Sequence, residues 1–308
     1  MNTILVTGAA GFIGAAIVER LIKEGNTCTT IDNLSTGSVD HIPEGCRFIE
    51  GSVADVDIIK GLEKEKFDVI IHIAGQSSGE ISFDDPVYDL QTNTQSTLML
   101  LKLAEKTGCK KFVYASSMSV YGDHQPPECT EETDKVPKSF YAVGKLASEN
   151  YMRIFSEYGI VCTALRFFNV YGPGQNLSNL RQGMASIFLA MAIKDHHIHV
   201  KGSKDRFRDF VFIDDVVDAV LRSVNREKGF DVFNVCTGVA TTVENVVKTI
   251  CDALPYDVTV EYKDGTPGDQ FGIYGNNKKI IKALDWKVTR DFSQGMKDMI
   301  DWALTQEF

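Results

Sequence analysis

Gly8-Ala9-Ala10-Gly11-Phe12-Ile13-Gly14 follows an apolar run, Thr3 to Thr7, and opens a segment with helical periodicity from Phe12 to Glu24. Strand, glycine-rich turn and helix in that order let backbone amides approach a pyrophosphate at the positive end of the helix. The spacing, Gly-x-x-Gly-x-x-Gly, differs by one residue from the commonest dinucleotide fingerprint. Bare glycines also make tight structural turns, so the next acid matters. Asp32 ends a second apolar run, Thr27 to Ile31, 18 residues after Gly14. A carboxylate there accepts bonds from a ribose 2′-hydroxyl and repels a 2′-phosphate. The reading is a dinucleotide site that favours NAD over NADP.

The same alternation continues outward. Strands are expected at Phe48 to Glu50, Val69 to Ile73, Lys111 to Ala115 and Val161 to Arg166, with helices near 89–106 and from Tyr141 to about Tyr158. That pattern predicts an α/β fold, a Rossmann-type doubly wound parallel sheet. Residues 122–138 are rich in Pro, Glu and Asp without periodicity and read as a surface loop. After Phe168 the pattern loosens at Gly172-Pro173-Gly174, followed by a helix at Gly183 to Ile193 and a strand at His197 to Lys201. A strand at Phe210 to Phe212 and a helix at Asp214 to Val224 are expected to rejoin the first sheet. Segments Thr242 to Ala253, Val258 to Tyr262 and Phe292 to Thr305 complete a smaller lobe. The expected division is residues 1–168 plus 210–235 for the dinucleotide, and 169–209 plus 236–308 as a smaller α/β substrate lobe.

Composition sets outer bounds. The 308 residues are 44% hydrophobic and 24% charged, ordinary for a soluble enzyme with a sizeable core. A net charge of −10 without a clustered basic face argues against nucleic acid as the main partner. Cys28, Cys46, Cys109, Cys129, Cys162, Cys236 and Cys251 are scattered with no Cys-x-x-Cys pair, as reduced thiols would be. No apolar leader and no run of 18 apolar residues is evident, so a soluble cytoplasmic protein is expected.

Tyr141 and Lys145 stand four apart and share one helix face. A free tyrosine ionises near pH ~10. An ammonium beside it favours the phenolate, making Tyr141 a candidate base for a sugar or alcohol hydroxyl. Ser116-Ser117-Met118-Ser119-Val120-Tyr121-Gly122 follows the strand at 111–115, at the carboxyl end where ligands bind in open α/β sheets. Serines there can equally satisfy loop amides.

Thr7 to Gly14, Asp32 to Gly37, His72-Ile73-Ala74-Gly75, Asn93, Ser116 to Gly122, Tyr141 to Lys145, Arg166 to Gly172 and Arg208 to Val211 together resemble the extended short-chain dehydrogenase/reductase family. The likeness is greatest to its nucleotide-sugar epimerases and covers nearly the whole chain. The resemblance implies NAD-dependent epimerisation at C4 of a nucleotide-diphosphate sugar, through a transient 4-keto intermediate. By position it makes Tyr141 the base, Lys145 a ligand of the nicotinamide ribose that tunes Tyr141, and Ser117 a hydrogen-bond partner of the reacting oxygen. It assigns the cofactor to Gly8, Gly11, Phe12, Ile13, Gly14, Asp32, Asn33, Ser35, Thr36, Gly37, Ser52, Val53, Ile73, Ala74, Gly75, Asn93, Ser116 and Phe168, along with Tyr141 and Lys145. Substrate falls to Ser117, Met118, Ser119, Tyr141, Asn169, Arg208 and Asp269, with Asn169 and Arg208 on the diphosphate. It also implies a homodimer through the helices near 89–106 and from Tyr141 onward, with Leu98, Leu101, Ala104, Ala147, Tyr151 and Ile154 as the apolar stripe.

The chain departs from the family pattern in places. Related 4,6-dehydratases carry an Asp-Glu pair where this chain has Met118-Ser119, so elimination lacks its acid. A 4-keto-sugar reductase is the next reading, and an NAD-binding sensor the non-enzymatic one. Gly51-Ser52-Val53 replaces the usual Gly-Asp, which weakens an adenine contact or moves it to Asp55. Thr266-Pro267-Gly268-Asp269 stands where an arginine usually precedes Pro-Gly-Asp, leaving Arg206 or Lys204 to compensate. Gln76-Ser77-Ser78 replaces a lysine. His196-His197-x-His199 has no evident carboxylate or cysteine partner, so a lobe-surface strand rather than a metal site is expected.

Overall fold

The computed structural model describes residues 1–123, 127–181, 183–263 and 271–306. Its strands are β1 (Thr3–Thr7), β2 (Thr27–Asp32), β3 (Arg47–Glu50), β4 (Val69–His72), β5 (Lys111–Ser117), β6 (Glu128–Cys129), β7 (Val161–Phe167), β8 (Asn169–Tyr171), β9 (His197–Lys201), β10 (Phe207–Arg208), β11 (Phe210–Phe212), β12 (Phe230–Val235), β13 (Thr241–Thr242), β14 (Thr259–Lys263) and β15 (Gly272–Gly275). The helices are α1 (Phe12–Lys23), α2 (Val56–Gly61), α3 (Pro86–Asp89), α4 (Ser96–Thr107), α5 (Phe140–Ser156), α6 (Met184–Asp195), α7 (Ile213–Val224), α8 (Val243–Ala253), α9 (Lys278–Leu284) and α10 (Phe292–Ala303). A π-helical stretch, Leu90–Gln95, joins α3 to α4.

Seven parallel strands form the main sheet in the order β12-β7-β5-β4-β1-β2-β3. Their apolar runs are buried on both faces, as parallel sheets require. On one face Ile4, Val6, Ile71 and Val113 pack with Ile17 and Val18 of α1 and Val216 and Val220 of α7. On the other, Leu5, Ile70 and Phe112 pack with Ile59 of α2, Leu100 and Leu101 of α4, and Met152 of α5. The chain runs outward from β1 to β2 and β3, then returns to β4 on the other side of β1. That reversal opens a crevice at the carboxyl ends of β1 and β4, where open α/β sheets bind ligands.

The expected α/β fold and parallel sheet are present, with two corrections. β11 does not rejoin the main sheet but pairs in parallel with β8, while α7 does pack against α1. The edge place belongs to β12, which pairs along β7 from Phe230 with Cys162 to Val235 with Phe167. Asp231 and Asn234 break its apolar pattern and hide it from a periodicity reading. The smaller sheets β13-β10-β15-β6 and β14-β9 lie in the remaining chain. Leu101 and Ala104, expected on a subunit stripe, are fully buried within this chain, whereas Ile154 is 51% exposed. No helix among the described residues is long and apolar enough to cross a membrane.

Candidate active site

The crevice holds a cleft of about 460 Å³ running from the Gly8–Gly14 loop to Ser117 and Tyr141. Close packing explains the glycines. Gly8 has φ +76°, and a Cβ there would lie 2.7 Å from the Ala74 amide nitrogen. A Cβ on Gly14 would lie 2.0 Å from the Gly8 carbonyl oxygen. With no side chain between them, the loop and the first turn of α1 form a bare cradle whose leading amides have no partner within the helix. Asp32 is buried and accepts from the Ala10 amide at 2.9 Å and the Leu34 amide at 2.8 Å, which leaves lone pairs for a ribose. The cradle and this carboxylate fit a dinucleotide.

Ser139 caps α5 by accepting from the Ala142 amide at 3.2 Å. From that start Tyr141, Lys145 and Glu149 fall on one face at intervals of four. The Glu149 carboxylate accepts from Ser116 Oγ at 2.5 Å and from Arg166 Nε at 2.9 Å and Nη2 at 2.6 Å. Arg166 Nη1 donates to the Tyr121 hydroxyl at 2.9 Å, which donates to Asn234 Oδ1 at 2.6 Å. Burial pulls the Arg166 guanidinium down, yet the Glu149 bonds outweigh it and hold it above its ordinary value. The network clamps α5 to β5, β7 and β12.

Lys145 is buried. Its Nζ donates to the Ala115 carbonyl at 2.8 Å and lies 4.7 Å from the Tyr114 ring centre and 5.5 Å from that of Tyr141. Burial lowers this ammonium to about 7, opposed by the charge of Asp89. Burial pushes the Tyr141 phenol up to about 12; hydrogen bonding with Ser117 opposes the rise and Asp89 adds to it. Tyr141 of the free protein is therefore a neutral phenol at pH 7, beside a lysine close to losing its charge. Asp89 Oδ2 accepts from Gln76 Nε2 at 2.8 Å and Asn93 Nδ2 at 3.2 Å. His72, held by Thr7 at 2.8 Å and Ser96 at 3.2 Å, is lowered to about 3 by burial and stays neutral.

Most residues expected at the site meet in this cleft. Gly8, Gly11, Phe12, Ile13, Gly14, Asp32, Asn33, Ser35, Thr36, Ser52 and Val53 line one part of it. Ile73, Ala74, Gly75, Ser116, Ser117, Met118, Ser119, Tyr141, Lys145, Phe168 and Asn169 line the rest. Gly37 and Asn93 stand behind the wall: a Cβ on Gly37 would meet the Ala10 carbonyl at 2.4 Å, and Asn93 Nδ2 donates to the Gln76 carbonyl at 2.9 Å. Arg208 is not among the lining residues; its guanidinium donates to the carbonyls of Phe207 at 2.7 Å and Phe271 at 3.3 Å. Asp269, with Thr266, Pro267 and Gly268, lies outside the described residues. Asp55 caps α2 rather than lining the cleft, and Lys204 pairs with Glu244 at 2.7 Å. Arg206 is likewise outside the lining, and its Nε donates to the Ser203 carbonyl at 3.2 Å.

Gln175, Asn176, Asn179 and Met184, absent from the expected site, also line the cleft. No motif marks them; only their place just after the Gly172-Pro173-Gly174 turn hints at a role. Among the described residues, Gln175 Oε1 and Ser119 Oγ are buried without a hydrogen-bond partner. A polar ligand would satisfy both.

A parallel sheet with a glycine cradle at its switch point and a serine–tyrosine–lysine set at the end of β5 defines a dinucleotide-dependent protein of the extended short-chain dehydrogenase/reductase class. Residues 4–236 match the NAD dependent epimerase/dehydratase family. The chain is 32% identical over 301 residues to a putative UDP-glucose 4-epimerase of Methanocaldococcus jannaschii, covering 97% of both. It is 32% identical over 305 residues to the UDP-glucose 4-epimerase of Mycolicibacterium smegmatis, again covering 97% of both. The crystal structure of UDP-glucose 4-epimerase from Thermotoga maritima with UDP-glucose superposes with a TM-score of 0.94 at 32% identity, covering 98% of both chains. The chain belongs to the NAD dependent epimerase/dehydratase family, and NAD is its cofactor.

Glu149→Ala should leave Arg166 buried and unpaired, at a cost of about 3–5 kcal/mol. Urea unfolding should show it as a lower midpoint with an unchanged slope. Asp89→Asn should lower the Lys145 titration further, because the carboxylate favours the ammonium. Carbon NMR of ε-labelled lysine across pH 5–10 reads this directly; an unmoved or raised midpoint would contradict the assignment.

Proposed function

We propose that the protein is a nucleotide-sugar 4-epimerase acting on a UDP-hexose. The observation that carries this reading is the placement of Ser117, Tyr141 and Lys145 together in the cleft that begins at the glycine cradle. Gly8, Gly11, Gly14, Asp32 and Lys145 would hold the cofactor, residues 1–168 plus 210–235 serving it and 169–209 plus 236–308 serving the sugar nucleotide. NAD, when bound, supplies a reversible hydride acceptor and a positively charged ring. Tyr141 takes the proton of the C4 hydroxyl and later returns it, while Ser117 orients that oxygen. Lys145, in its ammonium form, stabilises the phenolate that Tyr141 must become, offsetting the burial that keeps the phenol neutral in the free protein. The sugar passes through a 4-keto form that turns over and is reduced on its other face. Met118 and Ser119 bring no carboxylate to C5 and C6, so water is retained. Asn169, Gln175 and Ser119 supply amide and hydroxyl groups to the substrate, and the sequence relatives named as UDP-glucose 4-epimerases favour uridine.

We also propose a homodimer built on α4 and α5. Val143 and Ile154 of α5 and Leu90 beside α4 are more than half exposed, an apolar face that a second copy would cover.

Proton NMR of UDP-glucose with enzyme and catalytic NAD should show a new anomeric signal at constant mass and no net cofactor use. Stoichiometric NADH loss on a keto-sugar, with no such signal, would instead mark a reductase. Tyr141→Phe should lose roughly 10²–10⁴-fold in kcat while retaining NAD. Ile154→Glu should shift the sedimenting species from dimer to monomer; a monomer in the unaltered protein would refute the pairing.

A further inference from the structure

Far along the chain from the glycine loop, β9 and β14 form a separate parallel two-stranded sheet. Ile198 and Val200 of β9 point inward, leaving His197 and His199 on the outer face two residues apart. The register sets Glu261 of β14 against His199 and Thr259 against His197. A carboxylate 62 residues away in sequence thus joins the two imidazoles. His199 Nδ1 is 2.9 Å from Glu261 Oε2, His197 Nε2 is 3.7 Å from the same oxygen, and a ligand atom from each residue lies within 4.8 Å of the others. None of the three lines the cleft.

We propose that His197, His199 and Glu261 bind a borderline divalent transition-metal ion of the zinc class. Two imidazoles and one carboxylate are a recognised three-ligand set for such an ion, with water completing the tetrahedron. An N–H on His197 Nδ1 finds its acceptor in the Thr259 hydroxyl at 2.6 Å, whose own hydrogen can turn to the His196 carbonyl at 3.3 Å. The lone pair then resides on Nε2, which is buried and has no hydrogen-bond partner among the described residues. An orienting bond on one ring nitrogen with the other left for the ion is the arrangement that metal-binding histidines use. Lys263 Nζ sits 3.1 Å from Glu261 Oε2 and competes with the ion for that oxygen. A bound ion would tie together two strands of a sheet too small to be stable alone.

The test uses the full chain without a histidine tag, stripped with chelator, and zinc chloride as the probe. Calorimetry should show one saturable equivalent, zinc should raise the thermal midpoint, and cobalt should give the visible absorption of a tetrahedral site. His199→Gln and Glu261→Gln should each weaken binding at least tenfold, with the circular dichroism spectrum and NAD binding unchanged. Lys263→Met should tighten it. Absence of saturable binding, or binding indifferent to all three substitutions, would overturn the proposal. Binding that survives them but disappears on blocking the cysteines would overturn it in favour of a thiol site.

Discussion

The ion pair between Glu149 and Arg166 is the constraint on which the site depends. Both side chains are buried, and removing two charges from water costs several kcal/mol that their attraction only partly returns. Its worth is positional. Glu149 shares a helix face with Tyr141 and Lys145, so docking its carboxylate on Arg166 of β7 sets the rotation of α5 about its axis. The same carboxylate takes the Ser116 hydroxyl and thereby fixes the end of β5 that carries Ser117. One charged contact aligns the serine with the tyrosine, and through Tyr121 and Asn234 it reaches the edge strand β12.

A second buried acid joins the loop after β12 to the end of β15. Asp209, between β10 and β11, accepts from the Thr237 amide at 2.8 Å and hydroxyl at 2.7 Å, the Gly238 amide at 2.9 Å and the Gly275 amide at 3.2 Å. With its neighbour anchored in this way, Arg208 points toward the Phe207 and Phe271 carbonyls, and burial pulls its guanidinium down to about 10, with Arg206 adding to the effect. Tyr141 and Lys145, the pair proposed for proton transfer, bear a similar penalty. Burial raises Tyr141 and lowers Lys145, so in the free protein it works against the charged form of each.

Much of this was legible in the residues. The strands β1, β9 and β11 and the start of α1 fall where periodicity places them, with β1 and β9 ending at Gly8 and Gly202 and α1 starting after Gly11. The cradle was legible because Gly8 and Gly14 are demanded by contacts that any Cβ would violate. Less visible were β12, whose buried Asn234 and half-buried Asp231 look unlike a strand, and the cleft wall at Gln175 and Asn179, which no motif marks. Asp55 reads as a possible ligand contact in sequence, but it is consumed by the first turn of α2.

Sequence alone determined the alternation of strands and helices around the first sheet, the glycine loop, the acid at Asp32 and the four-residue spacing of Tyr141 and Lys145, since these are local properties of chain geometry. Tertiary structure decided which polar groups meet: Glu149 with Arg166, and Glu261 with His199. Those partners lie up to 62 residues apart in these pairs. No periodicity connects them, and only the packed sheet and its register bring them within hydrogen-bonding range.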